Sequence, residues 1–150
     1  MIVTAPRLHL GFTDADDLAI VSALVQDAVV KTADLIYLGT ARRFALVANR
    51  FCWEAEETGH DGGLRRRCGL HFDTVRKVRT RGIDRDAVEQ VLNLLAIEAE
   101  ETEDAVSIDL VFAGDALIRL EAETIDGGMK DLTEPWPTPR APNHDIEEKA

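Results

Sequence analysis

Aromatic side chains are scarce in this chain, at 5% of residues. Proteins that hold single-stranded nucleic acid usually stack its bases on aromatic platforms, so the scarcity argues against that mode. Two cysteines, Cys52 and Cys68, are too few for a disulfide framework and predict free thiols packed as small hydrophobes. The longest uncharged apolar-rich stretch, Leu18 to Gln26, is about half of the ~20 residues a membrane-spanning helix needs. The opening residues Met1 to Arg7 show neither the basic start nor the apolar run of a signal peptide, and the expected location is the cytoplasm. Glycine-rich phosphate loops, a Walker-type lysine and a nucleophile elbow are all lacking. Gly62-Gly63 and Gly127-Gly128 read as turn glycines.

What the chain does have is segregated charge. Eight basic residues (Arg65, Arg66, Arg67, Arg76, Lys77, Arg79, Arg81, Arg85) face two acids (Asp73, Asp84) between positions 65 and 85, although the whole chain carries −11. The overall charge disfavours nucleic acids and anionic membranes, both of which are polyanions. A local basic strip is the exception that a partner could use.

Along the chain, Thr13 as N-cap with Asp14, Asp16 and Asp17 in the first turn starts a helix over about 14–26. Its apolar stripe is Leu18, Val21, Val25 and Ala28, widened by Ile20 and Leu24. Strands are expected at Ala33–Leu38, Phe44–Trp53, Arg67–Phe72 and Val75–Arg81, with a Gly-containing loop at Glu54–Leu64. Asp84–Glu101 fits a helix or a doubly apolar strand; the preferred reading is a turn or short helix at Arg85–Gln90 and then a strand Val91–Glu98. Val106–Phe112 and Ala116–Ala122 alternate as a hairpin. A two-residue turn there would set Leu110 opposite Arg119, whereas an odd loop, Gly114-Asp115-Ala116, pairs Phe112 with Ile118 and Leu110 with Leu120. That register sets Asp109 against Glu121, with Arg119 on the diagonal. From Glu134 the chain holds Pro135, Pro137, Pro139 and Pro142 and then acids, a composition for an extended tail, flexible or draped on the surface with Trp136 pinned. The expected organisation is one globular domain over 1–133 and a Pro-rich acidic tail over 134–150.

Three blocks, Val25 to Val30, Arg43 to Phe51 and Val111 to Glu121, give the chain a further identity. In combination it resembles an uncharacterised bacterial family of proteins of unknown function (catalogue number 2948). The resemblance covers about Leu8 to Trp136 and implies a strand rather than a helix at Leu92–Glu98. It brings no activity, cofactor or catalytic residue.

Cys52, His60, Cys68 and His71 are zinc-type ligands within a short span. Cys68 and His71, three apart on a strand, point to opposite faces, so neither metal nor cofactor is expected. His60 beside Asp61 offers an acid–base pair, though a loop His next to an Asp is ordinarily just solvated. Glu98, Glu100, Glu101, Glu103 and Asp104 lack the glycine-punctuated spacing of a calcium loop. The basic strip is the sharpest feature. On a strand, Lys77, Arg79 and Arg81 share a face, and Arg65, Arg66 and Arg67 could extend it. The bland alternative is cross-strand pairing with acids such as Glu98, Glu100, Glu121 and Glu123.

The expected fold is α+β: a mainly antiparallel, curved sheet of six to eight strands, as a roll or open barrel, with one N-terminal helix. A pleckstrin-homology-like roll is an analogy of element order. The expected function is a non-catalytic binding or accessory domain acting through protein contacts, including self-association as a homodimer. The alternatives are a small-molecule enzyme with a pocket near the His60 loop, His71 and Arg50, and nucleic-acid binding through Lys77, Arg79 and Arg81.

Overall fold

A computed structural model describes residues 6–54, 63–84, 86–87 and 89–138. These residues form an antiparallel sheet of ten strands with one α-helix. The strands are β1 (His9–Phe12), β2 (Ala28–Leu38), β3 (Arg43–Phe51), β4 (Leu64–Phe72), β5 (Val75–Arg81), β6 (Val91–Glu101), β7 (Val106–Phe112), β8 (Ala116–Ala122), β9 (Gly127–Asp131) and β10 (Trp136–Pro137). Their order across the sheet is β1-β9-β4-β3-β2-β6-β7-β8-β5, with β10 beside β4. The sheet is open, with β1 and β5 at its two ends. The mainly antiparallel, open sheet is as expected, but ten strands replace six to eight. Short β1, β9 and β10 carry little alternation and escape the period-2 signal.

The helix α1 (Ala15–Leu24) is not N-terminal, because β1 precedes it. Asp14 rather than Thr13 is its N-cap, accepting from the Asp17 amide at 2.7 Å. Leu18 and Val21 are buried, as is Val25 just beyond the helix, while Ile20 stays exposed. Ala28 belongs to β2, so the helix ends a turn before the apolar stripe does. α1 covers the edge of β6 beyond the short β2–β6 ladder, where Ser22 Oγ accepts from the Ile97 amide at 2.9 Å.

Inward residues alternate on β3, β4, β7 and β8. They form one core with the helix, including Phe12, Phe44, Phe72, Leu110 and Ile118. Phe12 and Phe72 pack at 5.3 Å between centroids. The hairpin loop is odd, as expected, but it is Ala113-Gly114-Asp115, with Phe112 opposite Ala116. Gly114 and Asp115 both have positive φ, +79° and +63°, which the turn needs and which Gly and Asp tolerate. Asp109 therefore faces Arg119, not Glu121, and the two form a bidentate pair at 2.8 Å. Gly127 and Gly128 sit in β9 rather than in a turn.

Candidate functional site

The site begins with two irregularities in the sheet. β2 pairs with β3 at both ends of its length, but the register slips between Val30 and Leu35. β2 pairs with β6 only over Ala28–Lys31. The slip bends the strand away from β6, and among the described residues no strand pairs with the second edge of Leu35–Leu38. Among the described residues β5 pairs with β8 alone, and its register slips between Val75 and Lys77, bulging Arg76. Both backbone groups of Val75 tie β5 to the β2–β3 hairpin. Its amide donates to the Arg42 carbonyl at 2.8 Å, and its carbonyl accepts from the Tyr37 hydroxyl at 2.7 Å.

Between these two strands lies a cleft of about 420 Å³. Leu35, Ile36 and Tyr37 line one wall and Arg76, Lys77 and Val78 the other. Successive strand side chains point to opposite faces, so three consecutive residues lining one cavity do so through the strand's edge. The floor is apolar, with Phe44, Ile83 and Ile118. Ile36 is 51% exposed. Among the described residues, the lining holds no carboxylate, imidazole or thiol. The arrangement offers an apolar floor with the hydroxyls of Thr32, Tyr37 and Thr80 and the cations of Arg76 and Lys77 around it.

Lys77, Arg79 and Arg81 share the outer face of β5, as expected, opposite Glu121, Arg119 and Leu117 of β8. Arg79 is held by Glu121 at 2.8 Å and Arg76 approaches Glu123 at 3.4 Å. Cross-strand pairing thus takes up part of the strip. Arg81 donates to the Asp115 carbonyl at 3.4 Å, and Lys77 makes no ion pair among the described residues.

Arg65, Arg66 and Arg67 do not extend the strip, because they lie on β4, six strands away in sheet order. Arg65 lies over the Phe51 ring, and Arg67 reaches Asp34 and Asn49. Arg66 points inward and is buried. It joins Arg50, Glu54 and Asp131 in a cluster under the sheet. Arg50 donates to both Asp131 oxygens at 2.8 Å and to Glu54 at 2.8 and 3.0 Å. Arg66 donates to the Thr133 and Pro6 carbonyls at 3.0 Å and lies 3.5 Å from Asp131. Burial alone would raise the Asp131 carboxyl. The hydrogen bonds from Arg50 and the Leu8 amide, with the charges of Arg50 and Arg66, outweigh it and hold the group below the ordinary range. Glu54 is likewise lowered, burial opposing and Arg50 prevailing. Burial lowers the Arg50 pKa, but its hydrogen bonds to Asp131 and Glu54 leave it raised.

This cluster dissolves the pocket expected around Arg50 and His71. Arg50 is fully buried on the inner face, whereas His71 is on the outer face, 3.6 Å from Asp73. His60 lies outside the described residues. Cys68 and His71 fall on opposite faces, as their spacing requires. Burial pushes the Cys68 thiol up to about 12 and raises Cys52 as well, the reverse of a reactive thiolate. Among the described residues no group of three or more His, Cys, Asp or Glu side chains could hold a metal ion, and no helix is long and apolar enough to cross a membrane.

Sequence reasoning missed Asp131 and the cleft. Arg50 and Arg66 were legible as inward residues from alternation with Phe44, Leu46 and Ala48 and with Cys68, Leu70 and Phe72. A buried guanidinium demands a carboxylate, but nothing local says which. A family model described as "Protein of unknown function (DUF2948)" matches residues 8–144. No curated protein and no solved structure matches the chain.

Proposed function

Because the chain belongs to that family, whose description carries no activity, we propose its role from the cleft itself: a non-catalytic binding domain that acts through protein contacts between β2 and β5. The observation that carries this reading is the pair of strand edges that no strand among the described residues pairs with, facing each other across an apolar floor. Unpaired edges are templates for another chain, and Ile36, Tyr37 and Leu38 are exposed on this one. The described lining residues carry no carboxylate, imidazole or thiol, and their apolar floor suits holding a side chain, which favours binding over catalysis. Arg79 is engaged by Glu121, and among the described residues the aromatic side chains lining the cleft are Tyr37 and Phe44 alone, which favours a protein over a nucleic acid.

Photo-crosslinking in cells tests it. A benzophenone amino acid at Ile36 is expected to give a discrete, nuclease-resistant protein adduct. The same group at Ile20, exposed on α1, is expected to give none, and Arg76→Glu with Lys77→Glu should remove the adduct at Ile36. A nuclease-sensitive adduct, an identical pattern at Ile20, or no adduct at all would defeat the reading.

A further inference from the structure

Resting on that reading, we infer that the partner enters the cleft as an extended segment of alternating acidic and apolar residues, adding as a β-strand to the edge of β5 or β2 that no described strand pairs with. Three features of the walls specify this occupant. First, the walls are strand edges, so alternate backbone amides and carbonyls point into the cleft. An extended peptide satisfies such groups residue by residue, which a compact ligand cannot do. Second, the floor of Phe44, Ile83 and Ile118 is apolar. Every second side chain of an added strand would face it. Third, Arg76 and Lys77 stand on the rim, and Lys77 has no ion-pair partner among the described residues. The remaining side chains of the segment, if acidic, meet these cations across the strand pair.

The same charges argue against a second copy. Two-fold antiparallel pairing of β5 with its own copy sets Lys77, Arg79 and Arg81 against one another, and like charges directly opposite are destabilising. Lysine on an exposed edge is a familiar device against self-pairing. Here it deters a copy while admitting a strand of opposite charge.

The test uses the full chain and a labelled ten-residue peptide alternating valine or isoleucine with glutamate. Expected results are saturable binding by fluorescence anisotropy, weakening as salt rises, and slowed amide exchange within Arg76–Arg81 or Leu35–Leu38. Arg76→Glu with Lys77→Glu should weaken binding by about tenfold or more. Ile36→Asp, at an exposed position that leaves the core intact, should do the same. N-methylation of alternate peptide amides should abolish binding. Equal binding by the N-methylated peptide, or by one with lysine for glutamate, overturns the inference. So does protection of the same amides by decanoate or oligothymidine when no peptide protects them, or by dimerisation in sedimentation runs. If the Ile36 adduct in cells persists and depends on Arg76 and Lys77 while no peptide binds, strand addition falls and the protein-binding reading stands. If both fail, both fall.

Discussion

Asp131 is the residue on which the interior depends. It is buried between two buried arginines and accepts from Arg50, Arg66 and the Leu8 amide. The cluster joins β3, β4, β9 and the segment before β1. Removing one partner of a buried pair strands the other charge, at a cost of about 3–5 kcal/mol. Asp131→Asn is expected to lose about that much stability in urea denaturation. Asp34→Asn, breaking the half-exposed Arg67 pair at 3.4 Å, should cost under about 1 kcal/mol. Similar losses for the two would mean that the buried cluster carries no special weight. At this scale the sequence was half legible. Alternation marks Arg50 and Arg66 as inward, but the surface strip absorbed Arg66 by charge alone. Asp131 is distant in sequence and gave no local sign.

At the scale of elements, parity was legible and offsets were not. Alternation put apolar residues of β7 and β8 on one face and required an odd loop, which the hairpin has. The register differs by two residues because the turn is set by positive φ at Gly114 and Asp115 rather than by the apolar pattern. A shift of two preserves the faces, so hydrophobic patterning cannot detect it. β9 shows the converse. Its glycines suggest a turn, yet Gly127 lies between β1 and β4 where a Cβ would run into the His71 carbonyl oxygen and the Phe12 ring. Gly127→Ala is expected to destabilise by about 1–3 kcal/mol through overpacking. Gly69→Ala, on β4 with only ordinary contacts at 3.7 Å and beyond, should stay within about 0.5 kcal/mol. Thermal melts of the two variants check this, and equal melting temperatures would refute the close approach at Gly127.

For the whole molecule, the net charge of −11 and the buried cluster make opposite demands as pH falls. Acidification toward the pI near 4.7 reduces self-repulsion. Asp131 and Glu54, however, are both lowered in the fold, so the unfolded chain takes up protons first. Their stabilisation is complete at neutral pH, begins to go below the ordinary carboxylate range near about 4, and is lost through their lower folded values. Stability is therefore expected to hold down to about pH 5 and to drop steeply below about 4. A pH series of urea midpoints reads this directly. A steady fall beginning near neutrality would show that some other group governs acid sensitivity.

The sequence by itself determined the class of fold, the inward and outward faces of its long strands, the outer face shared by Lys77, Arg79 and Arg81, and the separation of Cys68 from His71. Each follows from a local period of two, which neighbouring residues impose on one another. Only the tertiary structure decided that Arg50 and Arg66 meet Asp131, that β9 threads between β1 and β4, and that β2 and β5 leave a cleft between them. Those are pairings between distant segments, fixed by register slips and close approaches that leave no periodic trace in the chain.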